Sequence, residues 1–381
     1  MIPYGRQSID QADIDAVNEV MHSKFLTTGP YVDQFETALI EASEYQQATV
    51  FNSATSALHA SCLALGINHQ SRVWVPANSF VATANCAEYC GAKVNFVDVE
   101  LDTGNICTQA LEESLKKANA ENLLPDLLIV VHYSGHFCDM PRIYQLSKHY
   151  GFSVIEDASH ALGAVAPNSW SPEIYGKIRI YSFHPVKMIT SAEGGVALSN
   201  DESLAKKIRL YGNHGIEREA KNWHYPSDGD WYYEQQLLGY NYRMSDLHAA
   251  LGLSQLKKLA EFISKRKQLV HHYHQLMGES VRWVNQSKHG ESSYHLLGVL
   301  LPEQRAKDIF SAMRANGIGV QKHYIPIVNH PYYQNKYSYD IAAFPNAQTF
   351  YRQVMALPLY CDLGLSEVKQ VCRELKKALK G

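Results

Sequence analysis

No apolar run in this 381-residue chain approaches the roughly 20 residues needed to cross a bilayer, so no membrane-spanning helix is expected. The N-terminus, Met1-Ile2-Pro3-Tyr4-Gly5-Arg6, also lacks the basic-then-apolar pattern of a secretory signal, and a cytoplasmic protein is expected. An excess of one charge is missing too: 35 Lys and Arg against 38 Asp and Glu leave a formal net charge of −3, with no long basic or acidic run. That excludes the basic footprint of a nucleic-acid binder and the patch that holds a protein to an anionic membrane. The seven cysteines contain no CxxC pair, and their odd number argues against a complete disulfide framework. Cys86 and Cys90 are spaced to share a helix face but have no third ligand nearby, so reduced core thiols and no metal are expected. Tandem repeats and low-complexity tracts are absent. What is present is a hydrophobic fraction of 46%, enough for a large core in a chain whose length allows two or three domains. A small-molecule enzyme fits these bounds best.

The pattern along the chain supports that class. Ser8 to Ile14 opens a capped helix, with apolar spacing through Val17, Val20 and Met21, and a turn follows at 24–30. After a second helix over 32–44, seven buried strands are expected at 48–51, 72–75, 93–99, 127–132, 152–156, 177–183 and 195–199. The first five are separated by segments long enough for crossover helices, for example 54–65, 81–89 and 140–150, which implies a mainly parallel sheet covered on both faces. Only about a dozen residues separate the last two, too few for a helical crossover, so one of them runs antiparallel. From Ser245 the texture changes to one long helix over 246–266 and then a mixed α+β part with helices at 302–316 and 366–380. The expected fold is α/β, with a large domain over 1–245 and a small C-terminal domain over 246–381. The aromatic-rich span 220–238 reads as a long ordered loop, a kind of segment that is often functional or lies at an interface.

Chemistry concentrates at the ends of these strands. Lys187, in Tyr181-Ser182-Phe183-His184-Pro185-Val186-Lys187, lies just past the sixth strand, and Asp157 closes the fifth in Val154-Ile155-Glu156-Asp157-Ala158-Ser159-His160. Strand ends are where α/β folds place their ligands. A Schiff-base lysine with a carboxylate for a pyridinium nitrogen is the pair that pyridoxal phosphate needs. Asn52-Ser53-Ala54-Thr55-Ser56 begins a helix directly after the first strand, so free backbone amides meet small hydroxyl residues in a phosphate cup. Ser182 would reach the same phosphate from its own strand. Phe80, just beyond the second strand, is placed to stack on a flat ring, although an isolated Phe more often belongs to a core. His160 and His184 adjoin the two key residues; an isolated histidine is more often structural. Asn241 and Arg243 precede the long helix, and His323-Tyr324-Ile325-Pro326 forms a loop placed to close over substrate.

Four motifs, Asn52 to Leu58, Glu156 to Gly163, Ser182 to Lys187 and Asn241 to Met244, fall in the order and at the spacings of the DegT/DnrJ/StrS sugar-nucleotide aminotransferases, which this chain resembles from Pro3 to Lys380. The resemblance implies the aspartate-aminotransferase architecture, fold type I of the pyridoxal-phosphate enzymes. It makes Lys187 the Schiff-base lysine, Asp157 the pyridinium partner and His160 a neighbour of the ring. Phe80 would stack on the cofactor, while Ala54, Thr55 and Ser182 would hold its phosphate, and Asn241 would reach that phosphate from the other subunit of a homodimer. Tyr4, Lys24, Phe25, Leu26, Thr27, His184, His323 and Tyr324 would contact a nucleotide sugar. Together with Tyr4 to Ile9, Ser79 to Asn85 and His323 to Pro326, the motifs most resemble the branch of the family that serves pseudaminic acid synthesis. That branch aminates carbon 4 of a UDP-linked 4-keto-6-deoxy-N-acetylhexosamine, with L-glutamate as donor. Three features depart from the family pattern: an irregular segment over 166–177, Asn213 where serine is usual before His214, and Lys322 beside His323. The competing readings are an aminotransferase for another 4-keto sugar such as UDP-4-keto-arabinose, a sugar 3-dehydratase, and a cofactor-binding regulatory protein without turnover. The dehydratases best known replace the lysine with histidine, which Lys187 does not match.

Overall fold

The computed structural model describes residues 1–170, 175–285 and 288–380. Residues 171–174, inside the irregular 166–177 segment, lie outside the described residues.

All seven expected strands are present: β1 (Gln47–Phe51), β2 (Arg72–Pro76), β3 (Lys93–Val97), β4 (Leu127–Val131), β5 (Ser153–Asp157), β6 (Ile178–Ser182) and β7 (Gly195–Ser199). They form one sheet in the order β1-β7-β6-β5-β4-β2-β3. Pairing is parallel from β3 through β6, and β7 runs antiparallel to both β6 and β1, as its short connection demands. Side chains alternate between two apolar layers. Val73, Val75, Ile129, Ile155, Ile178 and Ile180 face the layer that includes the helix Ala54–Ala64. Trp74, Leu128, Val130 and Val154 face the layer of the helices Thr108–Ala120 and Met140–Tyr150. A sheet covered on both faces needs apolar residues at every position, which explains the unbroken hydrophobic runs. All seven cysteines are free thiols.

Chain order and register gather one set of residues at the carboxyl edge of the sheet. Phe51 pairs with Gly195 and Ser182 pairs with the same residue from the other side, so the ends of β1 and β6 flank the start of β7. Asp157 ends the next strand, opposite Ile180. A Cβ on Gly195 would lie 2.4 Å from the Ala54 nitrogen, so only glycine lets the start of the helix Ala54–Ala64 sit this close to the strand ends.

A buried charge network ties β4, β5 and β6 together beneath that edge. Glu156, with a fully buried side chain, receives Arg179 Nε at 3.1 Å and Nη2 at 3.0 Å, His132 Nε2 lies 2.8 Å away, and the Gly176 N–H donates to its other oxygen at 3.0 Å. Burial works to raise the pKa of this carboxyl, but the Arg179 charge and the bonds from His132 and Gly176 outweigh it and hold the group at about 2. Because the folded-state pKa is depressed from 4.5, the ion contributes stability above pH 4.5 that is lost as pH falls through about 2. Glu156→Gln should therefore lower stability by about 3 kcal/mol at neutral pH, since it leaves a buried guanidinium underpaired. Urea denaturation from pH 7 to pH 2 checks this: the gap from wild type should hold down to about pH 5 and narrow below it.

The C-terminal part differs from the sequence expectation in one element. Instead of a single helix over 246–266 there are two, Asp246–Leu256 and Leu259–Met277, separated at Lys257 and Lys258. The Lys258 N–H bonds the Gln255 carbonyl three residues back at 3.0 Å, a tighter turn than the α-helix, and the Lys258 ammonium meets Asp13 at 2.6 Å and Asp10 at 2.9 Å, while Gln255 Nε2 donates to Asp13 at 2.6 Å. These bonds join the first of the two helices to the N-terminal helix Gln11–His22, whose Asp10 and Asp13 form a capping box. Ala249 and Phe262 pack in the large-sheet layer, whereas Leu269, Val270 and Tyr273 pack on a second core. That second core covers a three-stranded antiparallel sheet of Arg282–Trp283, Leu297–Leu300 and Val354–Leu357, with the helices Glu303–Ala315 and Leu365–Lys380. Ile2 joins it from the other end of the chain through a bridge to Ile318. Among the described residues no helix is long and apolar enough to cross a membrane.

Candidate active site

A cavity of about 390 Å³ opens at the carboxyl edge of the large sheet. Of the sixteen residues that the resemblance assigns to the site, eleven line it: Tyr4, Ala54, Thr55, Phe80, Asp157, His160, Ser182, His184, Lys187, His323 and Tyr324. Five do not. Lys24, Phe25, Leu26 and Thr27 lie exposed after the N-terminal helix, where Thr27 bridges Ser245 and the Leu26 carbonyl accepts from the Asp246 N–H. Asn241 is also exposed, in a strand-like run that bridges Asn213 and passes Asn52. Both segments lie on the surface, the 24–27 segment beside Ser245 and Asp246 and Asn241 beside Asn213.

Burial lowers the Lys187 amine to about 8, against the partial opposition of the Asp157 charge. At pH 8 about half of these amines are neutral, whereas an amine with the ordinary value of 10.5 is almost wholly protonated and not nucleophilic. Asp157 is buried and held at both oxygens. Ser159 donates to Oδ1 from its hydroxyl at 2.6 Å and from its N–H at 3.2 Å, and Thr83 donates to Oδ2 from its hydroxyl at 2.8 Å.

His160 sits above the strand ends with one tautomer imposed on it. Its Nδ1 accepts the Ser134 N–H at 3.2 Å, so the ring proton of the neutral form is on Nε2, which faces the Tyr324 hydroxyl at 3.0 Å. Burial, reinforced by the nearby Lys187, pushes the His160 pKa well below its ordinary value, so the ring is neutral. His323 is held to about 3 by the same two causes. The loop that carries His323 and Tyr324 is anchored to the large sheet: the Tyr133 hydroxyl donates to the His323 carbonyl at 2.8 Å and the Tyr324 N–H to Asn78 Oδ1 at 3.0 Å. Lys322, the unusual neighbour, donates to the Tyr351 and Arg352 carbonyls at the end of the helix Pro345–Gln353, and so serves as a helix-terminal cap.

The donor set fits pyridoxal phosphate. Ser53 caps its own helix by accepting the Ser56 N–H, which leaves the Ala54 and Thr55 amides at the open N-terminus without intrahelical carbonyls. The resulting cup suits a phosphate dianion, Lys187 supplies an amine for an aldehyde, and Asp157 supplies a carboxylate for a ring nitrogen. Phe80 presents a ring that is 56% exposed toward the cavity mouth, 5.9 Å from the Tyr324 ring. The buried Nδ1 atoms of His295 and His323 have no hydrogen-bond partner among the described residues, which leaves two further polar groups for a bound molecule.

Several site residues were not assigned from sequence. Ser159 and Thr83 lie inside conspicuous motifs, but nothing in a linear sequence says that their hydroxyls converge on one carboxylate. His295 and Ser134 enter from distant segments, their places fixed by the Ser134 hydroxyl bond to the Leu296 carbonyl and by Arg266, whose Nη1 donates to the His295 and Leu359 carbonyls.

Comparison with known proteins accords with this geometry. The model of the DegT/DnrJ/EryC1/StrS aminotransferase family matches residues 7–376. A Campylobacter jejuni protein named UDP-4-amino-4,6-dideoxy-N-acetyl-beta-L-altrosamine transaminase is 38% identical over 379 residues, covering 97% of this chain and 96% of its own. Among solved structures, Helicobacter pylori PseC, described as an aminotransferase involved in the biosynthesis of pseudoaminic acid, superposes with a TM-score of 0.90 at 30% identity over 100% of this chain and 99% of its own. The putative sugar aminotransferase Spr1654 from Streptococcus pneumoniae, in its PMP form, gives the same TM-score at 25% identity over 100% of this chain and 99% of its own. The fold is therefore fold type I, and pyridoxal 5'-phosphate is the cofactor. The chain is a member of the DegT/DnrJ/EryC1/StrS aminotransferase family.

Proposed function

We propose that this enzyme transfers an amino group from L-glutamate to carbon 4 of a UDP-linked 4-keto-6-deoxy-N-acetylhexosamine, a step of pseudaminic acid synthesis. The observation that carries the reading is the convergence of Lys187, Asp157 and the helix start at Ala54 on one cavity of cofactor size. The sugar assignment is supported by the similarity over nearly the full chain to the Campylobacter transaminase and to PseC.

When bound, pyridoxal phosphate supplies an aldehyde for amine exchange and a ring that withdraws electrons from the adjacent carbon. Ala54, Thr55 and Ser182 would hold the phosphate, and Asp157 would keep a proton on the ring nitrogen. Lys187 Nζ, about half neutral at pH 8, would hold the cofactor's aldehyde between cycles and, when free, would serve as the base for the proton at the substrate carbon. Phe80, which lines the cavity, would cover one face of the ring. His160, uncharged, orients the Tyr324 hydroxyl, which has its own proton free to donate because Nε2 supplies the bond between them. Tyr4, His184 and His323 line the sugar side.

The same reading makes the active enzyme a homodimer with shared sites. Asn241 and the 24–27 segment are exposed and do not line the cavity of their own chain, and large apolar groups stand exposed near them in sequence: Phe25, Leu26, Trp231 at 76% and Leu238 at 79%. The N-terminal helix likewise turns Ile14 and Met21 outward, where the sequence pattern led one to expect an inner face. A second copy of this chain would cover such surfaces in a two-fold arrangement. Asn241→Asp chains, whose carboxylate would repel the phosphate, should be inactive, and so should Lys187→Ala chains. Mixed heterodimers should regain about half of wild-type activity, because one site escapes both lesions; no recovery despite proven subunit exchange would place Asn241 in its own subunit. The substrate is tested by incubating the pyridoxamine form with UDP-linked 4-keto sugars and identifying the product by NMR. A 4-amino-6-deoxy-N-acetylhexosamine product is expected, and amination of UDP-4-keto-arabinose alone would overturn the assignment.

A further inference from the structure

We propose that Thr83 is a positioning residue for the transamination, holding the Asp157 carboxylate in the plane in which it meets the cofactor's ring nitrogen. The inference rests on the reading of Asp157 given above. Thr83 lies in the first turn of the helix Ala82–Tyr89 and is fully buried. A threonine in a helix ordinarily turns its hydroxyl back to the carbonyl four residues earlier. Here the hydroxyl instead spans a large distance in sequence to donate to Asp157 Oδ2 at 2.8 Å, and its oxygen lies 2.7 Å from the buried Ser79 hydroxyl.

The direction of this chain of bonds follows from counting protons. An ionised carboxylate can only accept, so the one Thr83 proton goes to Asp157 and the Ser79 proton goes to Thr83. Ser159 holds the other carboxylate oxygen with its hydroxyl and its N–H. Asp157 is thus fixed from two separate elements, one at each oxygen, and free rotation about its last torsion is removed. Phe80 stands three residues before Thr83, and the Thr83 N–H bonds the Phe80 carbonyl at 3.2 Å. One short turn therefore sets both the ring that covers the cofactor and the hydroxyl that orients the carboxylate. A positioned charge acts on the reacting atoms only while its geometry is kept.

The test compares Thr83→Val, which keeps the shape and deletes the donor, with Thr83→Ser, which restores it, in the holoenzyme. Thr83→Val should lower kcat by about 10- to 100-fold, the range for a lost hydrogen bond to a charged group, with KM for both substrates little changed. In enzyme loaded with cofactor labelled at the ring nitrogen with ¹⁵N, the resonance should move from the pyridinium toward the neutral-pyridine position. Thr83→Ser should recover both readouts. Ser79→Ala, which removes only the second link, should shift both in the same direction by less, and it serves if the valine variant does not fold. A wild-type ¹⁵N position and wild-type kcat in folded Thr83→Val, or in Ser79→Ala where valine fails to fold, would overturn the proposal. Asp157→Asn separates the two readings: if it too is normal, the role of Asp157 falls and Thr83 falls with it, whereas an impaired Asp157→Asn beside a normal Thr83→Val removes Thr83 alone.

Discussion

Lys187→Ala should leave a folded protein whose turnover is lower by at least about 10³-fold, since the substitution deletes both the amine that anchors the cofactor and the base that moves the proton. The fold should survive because Lys187 forms no part of the apolar layers that support the sheet. Burial already disfavours its charged form, so an alanine removes a destabilised cation rather than a stabilising contact. The phosphate cup at Ala54 and Thr55 is untouched, and the variant should still capture added pyridoxamine phosphate. Circular dichroism, cofactor absorbance and glutamate half-reaction rates check these points together. Turnover within tenfold of wild type would remove Lys187 from the chemistry.

Asp157→Asn should cost about 10²- to 10³-fold in kcat, the range for loss of one preorganised group that stabilises charge in a transition state. Size is conserved, so the loss is one of charge and of acceptor capacity. An amide also presents N–H groups where two hydroxyls and an N–H now donate, so the Ser79, Thr83 and Ser159 bonds must rearrange around it. Cofactor should still bind through its phosphate, with the defect in kcat. Near-normal kcat would show that another group protonates the ring.

Much of this was legible from local pattern. The strands announced themselves because a sheet covered on both faces needs apolar side chains at successive positions, and the tight β6 to β7 connection alone required an antiparallel pair. The residues at strand ends, Asp157, Ser182 and Lys187, and at the helix start, Ala54 and Thr55, could be placed because the fold class puts such positions on one edge. The break near Lys257 and Lys258 was hidden, since its cause is a partner far off in sequence, the Asp10 and Asp13 carboxylates. The outward face of the N-terminal helix was misleading for a related reason: apolar periodicity marks a buried stripe without saying what buries it, and within this chain Ile14 and Met21 are left uncovered. Thr83, Ser159, Ser134 and His295 were unassigned because orientation of a hydroxyl or an imidazole is a property of three-dimensional convergence, which periodicity does not encode.

The most direct test of the central claim is the site of cofactor attachment. The holoenzyme is reduced with borohydride, digested with trypsin and mapped by mass spectrometry. The phosphopyridoxyl group should lie on Lys187, in a peptide that runs uncleaved from Ile180 to Lys206 because the modified lysine resists trypsin. Label found instead on another lysine, such as Lys322, with Lys187 unmodified, would contradict the account.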